Sequence, residues 1–361
     1  MPGVFDILAS GGFEQVVHCH DAGSGLRAIV AVHSTALGPS LGGTRFHPYA
    51  DEAEALRDVC RLARGMTYKH ALCGNDLGGG KAVVIGDPAT HRSEALLRAY
   101  GRFVEGLAGR YVTAEDVGTT QADMDVIRRE TRYVTGVSES LGGSGDPSPA
   151  TAAGVEWAMR AVAERLWGTP SLGGRHVCIS GVGKVGAALA RRLAEDGAKL
   201  TVADVRARAV EGLVDSLGAV PVDPEVAHTV PCDVFAPCAL GGVLDARTVP
   251  ELRCQAVVGS ANNQLASPAD AERLRRRGVL YAPDFVVNAG GVINIAEERN
   301  GYDRARAGER IRAIHDTLVR VLDRSDADDV STAAAAERLA EERIAAVTRT
   351  RLIHTGHHTA R

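Results

Sequence analysis

Residues 176–205 read HVCISGVGKVGAALARRLAEDGAKLTVADV. A short β-rich run, HVCIS, leads at once into GVGKVG, then into a helical pattern and a second β-rich run that closes on Asp204. Strand, glycine loop, helix, strand and closing acid together specify a βαβ unit that binds a dinucleotide. Gly181 permits the tight turn, Gly183 lets backbone approach a pyrophosphate, and Gly186 allows close packing, while the helix N-terminus offers N–H groups to the anion. Asp204, eighteen residues after Gly186, is placed to accept hydrogen bonds from the adenosine ribose, which favours NAD over NADP; Arg206 and Arg208 lie close by.

Around this unit, helical patterns and short β-rich runs (VFAP, AVVGSA, VLYAP) alternate from about residue 146 to 330, as in a parallel sheet of βαβ units. The Gly, Ser and Pro of SESLGGSGDPSPA, 138–150, mark a linker. The expected organisation is α/β in two domains separated by an active-site cleft: 1–145, joined by a C-terminal helix at 331–361, and a Rossmann domain at 146–330. In the first part, QVVHCHD and LRAIVAVHS read as a strand pair around DAGSG, and EAEALRDVCRLARGMTYKHAL as an amphipathic helix.

The chain has 361 residues, 45% of them hydrophobic, and a net charge of −4, which suits two domains with real cores and gives no basic face for nucleic acid. No apolar run reaches the ~20 residues of a membrane span, and the N-terminus MPGVFDILASGG lacks a secretory pattern. A cytoplasmic protein is expected. Seven cysteines without a CxxC pair read as reduced, mostly buried thiols. His18 and His20 around Cys19, and His354, His357 and His358 near the C-terminus, lack the spacing of a structural metal site, so no metal is expected.

The stretch GNDLGGGKAVVIGDP, 74–88, puts three glycines before Lys81. It is not a phosphate loop: Asn75 stands where the first glycine belongs, Ala82 replaces the hydroxyl residue, and a β-rich run rather than a helix follows. Lys69, in GMTYKHAL, lies close in sequence. If a helix ending near Cys73 and a glycine turn bring both ammonium groups into one cleft, like charge and burial disfavour one of them, so that it can serve as a base. The triple glycine would then open bare backbone to a substrate. Two surface lysines beside a flexible turn remain the alternative on composition alone.

Seven blocks, in order along the chain, bear on that choice: LGPSLGGTRFHPY, ARGMTYKHALCGNDLGGGKAVVIGDP, GRYVTAEDVGTT, GDPSPATAAG, CDVFAPCALGG, GSANNQLA and YAPDFVVNAGGVINIAEE. Together they resemble the glutamate, leucine, phenylalanine and valine dehydrogenases, NAD(P)-dependent enzymes that convert an L-amino acid to its 2-oxo acid and ammonia. The resemblance implies an N-terminal substrate-binding and oligomerisation domain and a homo-oligomer. It implies that Lys81 is the general base activating water, that Asp116 exchanges protons with the amino group, and that Lys69 pairs with the substrate carboxylate. It further assigns Leu41, Gly42, Gly43, Met66, Ala114, Asn263, Val292 and Ile295 to the substrate. To the cofactor, NAD, it assigns Thr151, Gly181, Gly183, Lys184, Val185, Gly186, Asp204, Cys238, Ala239 and Asn262.

Glutamate enzymes of the family carry a lysine where this sequence has Leu41, and a substrate carboxylate buried against leucine would stay unpaired. With Ala114, Val292 and Ile295 also apolar, a branched aliphatic substrate is expected; an aromatic amino acid, or a catalytically silent sensor on the same fold, are the alternatives. Two departures from the family pattern flank the lysines: His70 follows Lys69 where asparagine is usual, and the turn reads CGNDL in place of AGLNL.

Overall fold

The computed structural model describes residues 4–350. The chain divides into two compact units, one holding residues up to Leu141 and those from Arg338 onward, the other Gly142–Glu337.

In the first unit, β1 (Gln15–Asp21), β2 (Leu26–Ser34), β3 (Ser40–His47), β4 (Gly78–Ile85) and β5 (Tyr111–Glu115) form one sheet in the order β1-β2-β4-β3-β5. The expected hairpin of β1 and β2 is present, antiparallel, and β2 pairs β4 in the same sense. The pairs β3/β4 and β3/β5 are parallel. Alternate residues of β4 serve opposite faces. Ala82 and Val84 join a core with Phe46, Tyr100 and Met124. Val83 joins another core with Ala55, Val59 and Ala63 of the helix Glu52–Leu72. Lys81 shares the parity of Val83 and therefore faces that helix.

The glycines before Lys81 differ from expectation: they are not a turn but the first half of β4. Nor do they present open backbone. A Cβ on Gly79 would stand 2.1 Å from Thr67 Oγ1 and 2.2 Å from the Thr67 backbone nitrogen, and one on Gly42 would stand 1.8 Å from Gly80 O. Bare backbone is needed here because helix and neighbouring strand sit against it. The helix is started by Asp51, whose side chain accepts from Glu54 N, and its end is fastened by Arg343, which donates to the carbonyls of His70, Ala71 and Asn75.

In the second unit, β6 (His176–Ser180), β7 (Lys199–Ala203), β8 (Val220–Pro221), β9 (Val234–Pro237), β10 (Ala256–Val257) and β11 (Leu280–Tyr281) run in the order β11-β10-β9-β6-β7-β8. Every pairing is parallel. The order reverses between β6 and β9, the doubly wound arrangement whose switch point opens at the strand C-termini. Among the described residues no helix is long and apolar enough to cross a membrane. The seven cysteines are free; Cys19, Cys60 and Cys178 are buried, while the other four are only half-buried, fewer than expected, because they lie at strand ends and loops. The tail histidines His354, His357 and His358 lie outside the described residues.

Replacing Gly79 with Ala would push a methyl group into the backbone of the Glu52–Leu72 helix. A loss of about 1–3 kcal/mol, or failure to fold, is expected in urea denaturation; unchanged stability would mean that the helix does not rest on β4 at this point.

Candidate active site and dinucleotide cradle

Lys81 is 5% exposed, in mid-strand, where a lone ammonium would be costly. Its Nζ donates to Asp116 Oδ1 at 2.8 Å. Asp116 follows the last residue of β5, two strands from β4, and its other oxygen, Oδ2, accepts from Arg45 Nε of β3 at 3.0 Å. Its backbone N–H donates to Thr119 Oγ1. Burial by itself would raise the Asp116 carboxyl, but the charges and hydrogen bonds of Lys81 and Arg45 outweigh it and hold the group below the usual carboxylate range. The charged group seated on Lys81 is thus an acid, where the sequence suggested a like charge from Lys69.

The substrate-side residues of this unit gather nearby. A Cβ on Gly43 would be 2.8 Å from Asp116 Cβ, and one on Gly42 would be 3.3 Å from Met66 Cγ. Gly43 pairs with Ala114 across β3 and β5. Leu41 and Ala114 are buried, and Met66 and Lys69 are half-buried on the last turns of the helix. The two departures from the family pattern touch each other. Asn75 Nδ2 lies 3.0 Å from His70 Nδ1, and His70 Nε2 lies 3.2 Å from the Leu41 carbonyl. A carbonyl only accepts, so Nε2 carries the hydrogen and Nδ1 receives the Asn75 amide. The wholly buried imidazole thereby ties the helix end to β3 just before Gly42 and Gly43.

In the second unit the assigned cofactor residues lie at strand C-termini, apart from Thr151 in the helix Ser148–Trp167. Gly181, with φ +102, leaves β6, and a Cβ there would lie 2.6 Å from Ala239 N; a Cβ on Gly186 would lie 2.0 Å from Gly181 O. Cys238 N donates to Ser180 O, holding the loop after β9 against the loop after β6. Gly183 caps the helix Lys184–Glu195, which carries Val185, with no side-chain hydrogen bond, so its first N–H groups are left for an anion. Lys184 Nζ is 3.2 Å from Asp146.

Asp204, after β7, accepts from Val182 N and is gripped by Arg206, through Nε at 3.0 Å and Nη2 at 3.1 Å. These bonds, those of Arg206 first, lower its pKa to about 2. Asn263 has φ +52 and donates its N–H to Asp284. Asn262 Oδ1 accepts from Asn288 Nδ2 at 3.0 Å. The helix Gly290–Ala296 carries Val292 and Ile295, both buried, and packs on Thr151, whose Oγ1 a Cβ on Gly291 would meet at 2.5 Å.

Sequence reasoning gave no role to Arg45 or Asn288. Arg45 was visible in the GGTRF block, but only the fold brings it to Asp116. Asn288 is buried and its Oδ1 has no partner among the described residues, while its amide donates to two acceptors, so a flip cannot satisfy it. This orphan acceptor, the uncapped helix and the glycine cradle suit a dinucleotide that brings its own amide donor and phosphates. Among the described residues no group of three or more His, Cys, Asp or Glu is placed to hold a metal.

Comparison with known proteins agrees with this architecture. Residues 13–133 match the Glu/Leu/Phe/Val dehydrogenase dimerisation domain, and residues 142–210 and 203–351 match the Glutamate/Leucine/Phenylalanine/Valine dehydrogenase model. The chain is 50% identical to a leucine dehydrogenase of Geobacillus stearothermophilus over 98% of its own length and 97% of that protein's. It is 54% identical to a valine dehydrogenase of Streptomyces coelicolor, over 93% of each. Among solved structures, L-tryptophan dehydrogenase from Nostoc punctiforme superposes with a TM-score of 0.83 at 41% identity, covering 96% of this chain and all of that one.

Asp116→Asn removes the anion that Lys81 and Arg45 share, and a loss of about 3–5 kcal/mol at neutral pH is expected. Because the folded carboxyl is depressed, its stabilisation is present above the unfolded value near 4 and fades as pH falls. The gap between wild type and variant in urea titrations should therefore narrow from pH 6 toward pH 3. A gap independent of pH would mean that Asp116 does not carry the charge.

Proposed function

The chain belongs to the Glu/Leu/Phe/Val dehydrogenase family, and from that premise we propose that it oxidatively deaminates branched-chain L-amino acids with NAD. Leucine, valine or isoleucine becomes the 2-oxo acid and ammonia, reversibly. The observation that carries this reading is the Lys81–Asp116 pair, assembled within 2.8 Å in a buried setting beside apolar Leu41 and Ala114. The leucine and valine specificities of the relatives point the same way.

The bound dinucleotide supplies the acceptor for the hydride that leaves the substrate Cα. Gly181, Gly183, Lys184, Val185 and Gly186 would hold its phosphates, and Asp204 the adenosine ribose. Thr151, Cys238, Ala239 and Asn262 would line the rest of its site, and Asn288 would accept from its carboxamide. Lys69 pairs with the α-carboxylate and fixes the orientation of Cα without joining in proton transfer. Asp116 takes a proton from the substrate ammonium as the C–N double bond forms. Lys81, neutral at that stage, takes a proton from water as its oxygen bonds to Cα. The carbinolamine then collapses: Lys81, having passed its first proton to the surroundings, takes the hydroxyl proton as the C–O double bond forms, while Asp116 returns its proton to the nitrogen and the C–N bond breaks to release ammonia. Gly42, Gly43 and Met66 are the substrate residues proposed for the first unit, and Asn263, Val292 and Ile295 those proposed for the second; a γ-carboxylate would find no cation at Leu41.

NAD is favoured because Asp204, fully charged, opposes a 2′-phosphate. The dimerisation-domain match supports a homo-oligomer, and seven free thiols support a reducing, cytoplasmic setting. The tryptophan enzyme's similarity makes an aromatic substrate the second reading.

An absorbance assay of NADH formation over a panel of amino acids separates these readings. Leucine, valine and isoleucine should lead, with glutamate inert. NADP should be far poorer, and Asp204→Ser should lose about 1.5–3 kcal/mol of NAD affinity. Comparable efficiency with NADP would mean that Arg206 governs the site. Preference for tryptophan or phenylalanine would overturn the branched-chain assignment.

Lys81→Ala should lose ~10²–10⁴ in turnover while still binding NAD in fluorescence titration. Lys81→Arg keeps the charge but cannot deprotonate in this range and should be equally inactive. Wild-type activity should rise with pH in the deamination direction. Near-normal turnover of Lys81→Arg would reduce Lys81 to an electrostatic anchor.

A further inference from the structure

Arg45 stands on β3 between two acids. Nε donates to Asp116 Oδ2 at 3.0 Å and Nη1 to Asp58 Oδ2 at 2.9 Å. Asp58, on the Glu52–Leu72 helix, also accepts from Tyr49 OH at 2.7 Å and from Arg61 Nη2 at 2.9 Å. Burial works against the guanidinium, and the two carboxylates more than offset it. We propose that Arg45 is a positioning residue for the reaction: the permanent cation that keeps Asp116 an anion, with Oδ1 turned to Lys81, until Asp116 takes the substrate's proton, even when Lys81 is neutral. The proposal rests on the roles given above to Lys81 and Asp116.

Asp116 has two cationic neighbours, one per oxygen. When Lys81 gives up its proton, one of them is gone, and burial then favours the neutral acid. A protonated Asp116 cannot accept from the substrate ammonium. Arg45 does not titrate in the working range, so the carboxylate retains one fixed partner throughout. The planar fork also sets direction: with Nη1 held on Asp58, Nε has one place to point, and Oδ2 is pinned there while Oδ1 faces β4. Lysine has no such fork. Tyr111 on β5 and Tyr49 beside Asp58 also feel the Asp116 charge, and Lys69 is carried by the same helix as Asp58; both tyrosines are held neutral, burial first among the causes.

Removing a fixed cation raises the proton affinity of every group beside it, and removing an anion lowers it. In Arg45→Gln, the acid limb of kcat/KM for leucine deamination should move up by about 1 pH unit, with NAD affinity unchanged. Arg45→Lys should bring the limb most of the way back but leave kcat low, because one ammonium cannot bridge both acids. Asp58→Asn should move the limb the opposite way, toward lower pH. Asp116 can also be read without turnover, from the infrared difference between each protein and its Asp116→Asn counterpart. The protonated carboxyl band should emerge at higher pH in Arg45→Gln than in wild type.

If Arg45→Gln does not fold, Arg45→Lys and Asp58→Asn carry the test. An infrared titration of Asp116 that is the same in every Arg45 and Asp58 variant as in wild type overturns the inference. A shifted titration together with normal turnover of Lys81→Arg would instead overturn the general-base reading on which it rests.

Discussion

Asp116 carries its charge where little water reaches it, and it does so because each carboxylate oxygen has its own cation, Lys81 on one side and Arg45 on the other. These three residues come from three parallel-paired segments, β4, β3 and the end of β5. The ion cluster therefore depends on the register of the sheet. A slip of one residue in β4 would turn Lys81 away from the Glu52–Leu72 helix and leave a buried carboxylate half-paired. The cluster and the sheet specify one another.

The glycines serve that register. Gly79 lets the helix backbone lie on β4, and Gly42 lets β3 close on Gly80, so the helix carrying Met66 and Lys69 sits directly over the strand carrying Lys81. His70 and Asn75 then lock the helix end to the Leu41 carbonyl. Arg343, far along the chain, covers the carbonyls that a helix end leaves open. Backbone contact, a buried imidazole and a capping guanidinium thus stiffen the same corner, as a site that must hold two charged side chains in register requires.

The second unit reaches its geometry by a different route. Its strands are short and all parallel, and the reversal of strand order between β6 and β9 leaves the loops after them in contact, Gly181 against Ala239. Asp204 is held ready by Val182 and Arg206. The Arg206 fork occupies both oxygens of Asp204, the ones that a ribose bound there as proposed would need.

Much of this was legible in the sequence. The Glu52–Leu72 helix, the β1/β2 hairpin and the βαβ unit at 176–205 rest on local periodicity and turn chemistry, which a short window contains. The blocks around Lys69, Lys81 and Asp116 were enough to mark the candidate residues. The glycine half of β4 was read as a turn, because a run of glycines shows no side-chain alternation, and its reason, backbone packed on backbone, lies outside the run. Arg45, Asn288 and the link from His70 to the Leu41 carbonyl were out of reach for a related cause. Their meaning is a partner tens of residues away, and a hydrogen bond between distant segments leaves no period in the sequence. The sequence by itself determined the elements that carry their own period and the candidate residues that their motifs mark; tertiary structure alone decided which charges meet, since pairing a buried ion depends on where the sheet brings strands together.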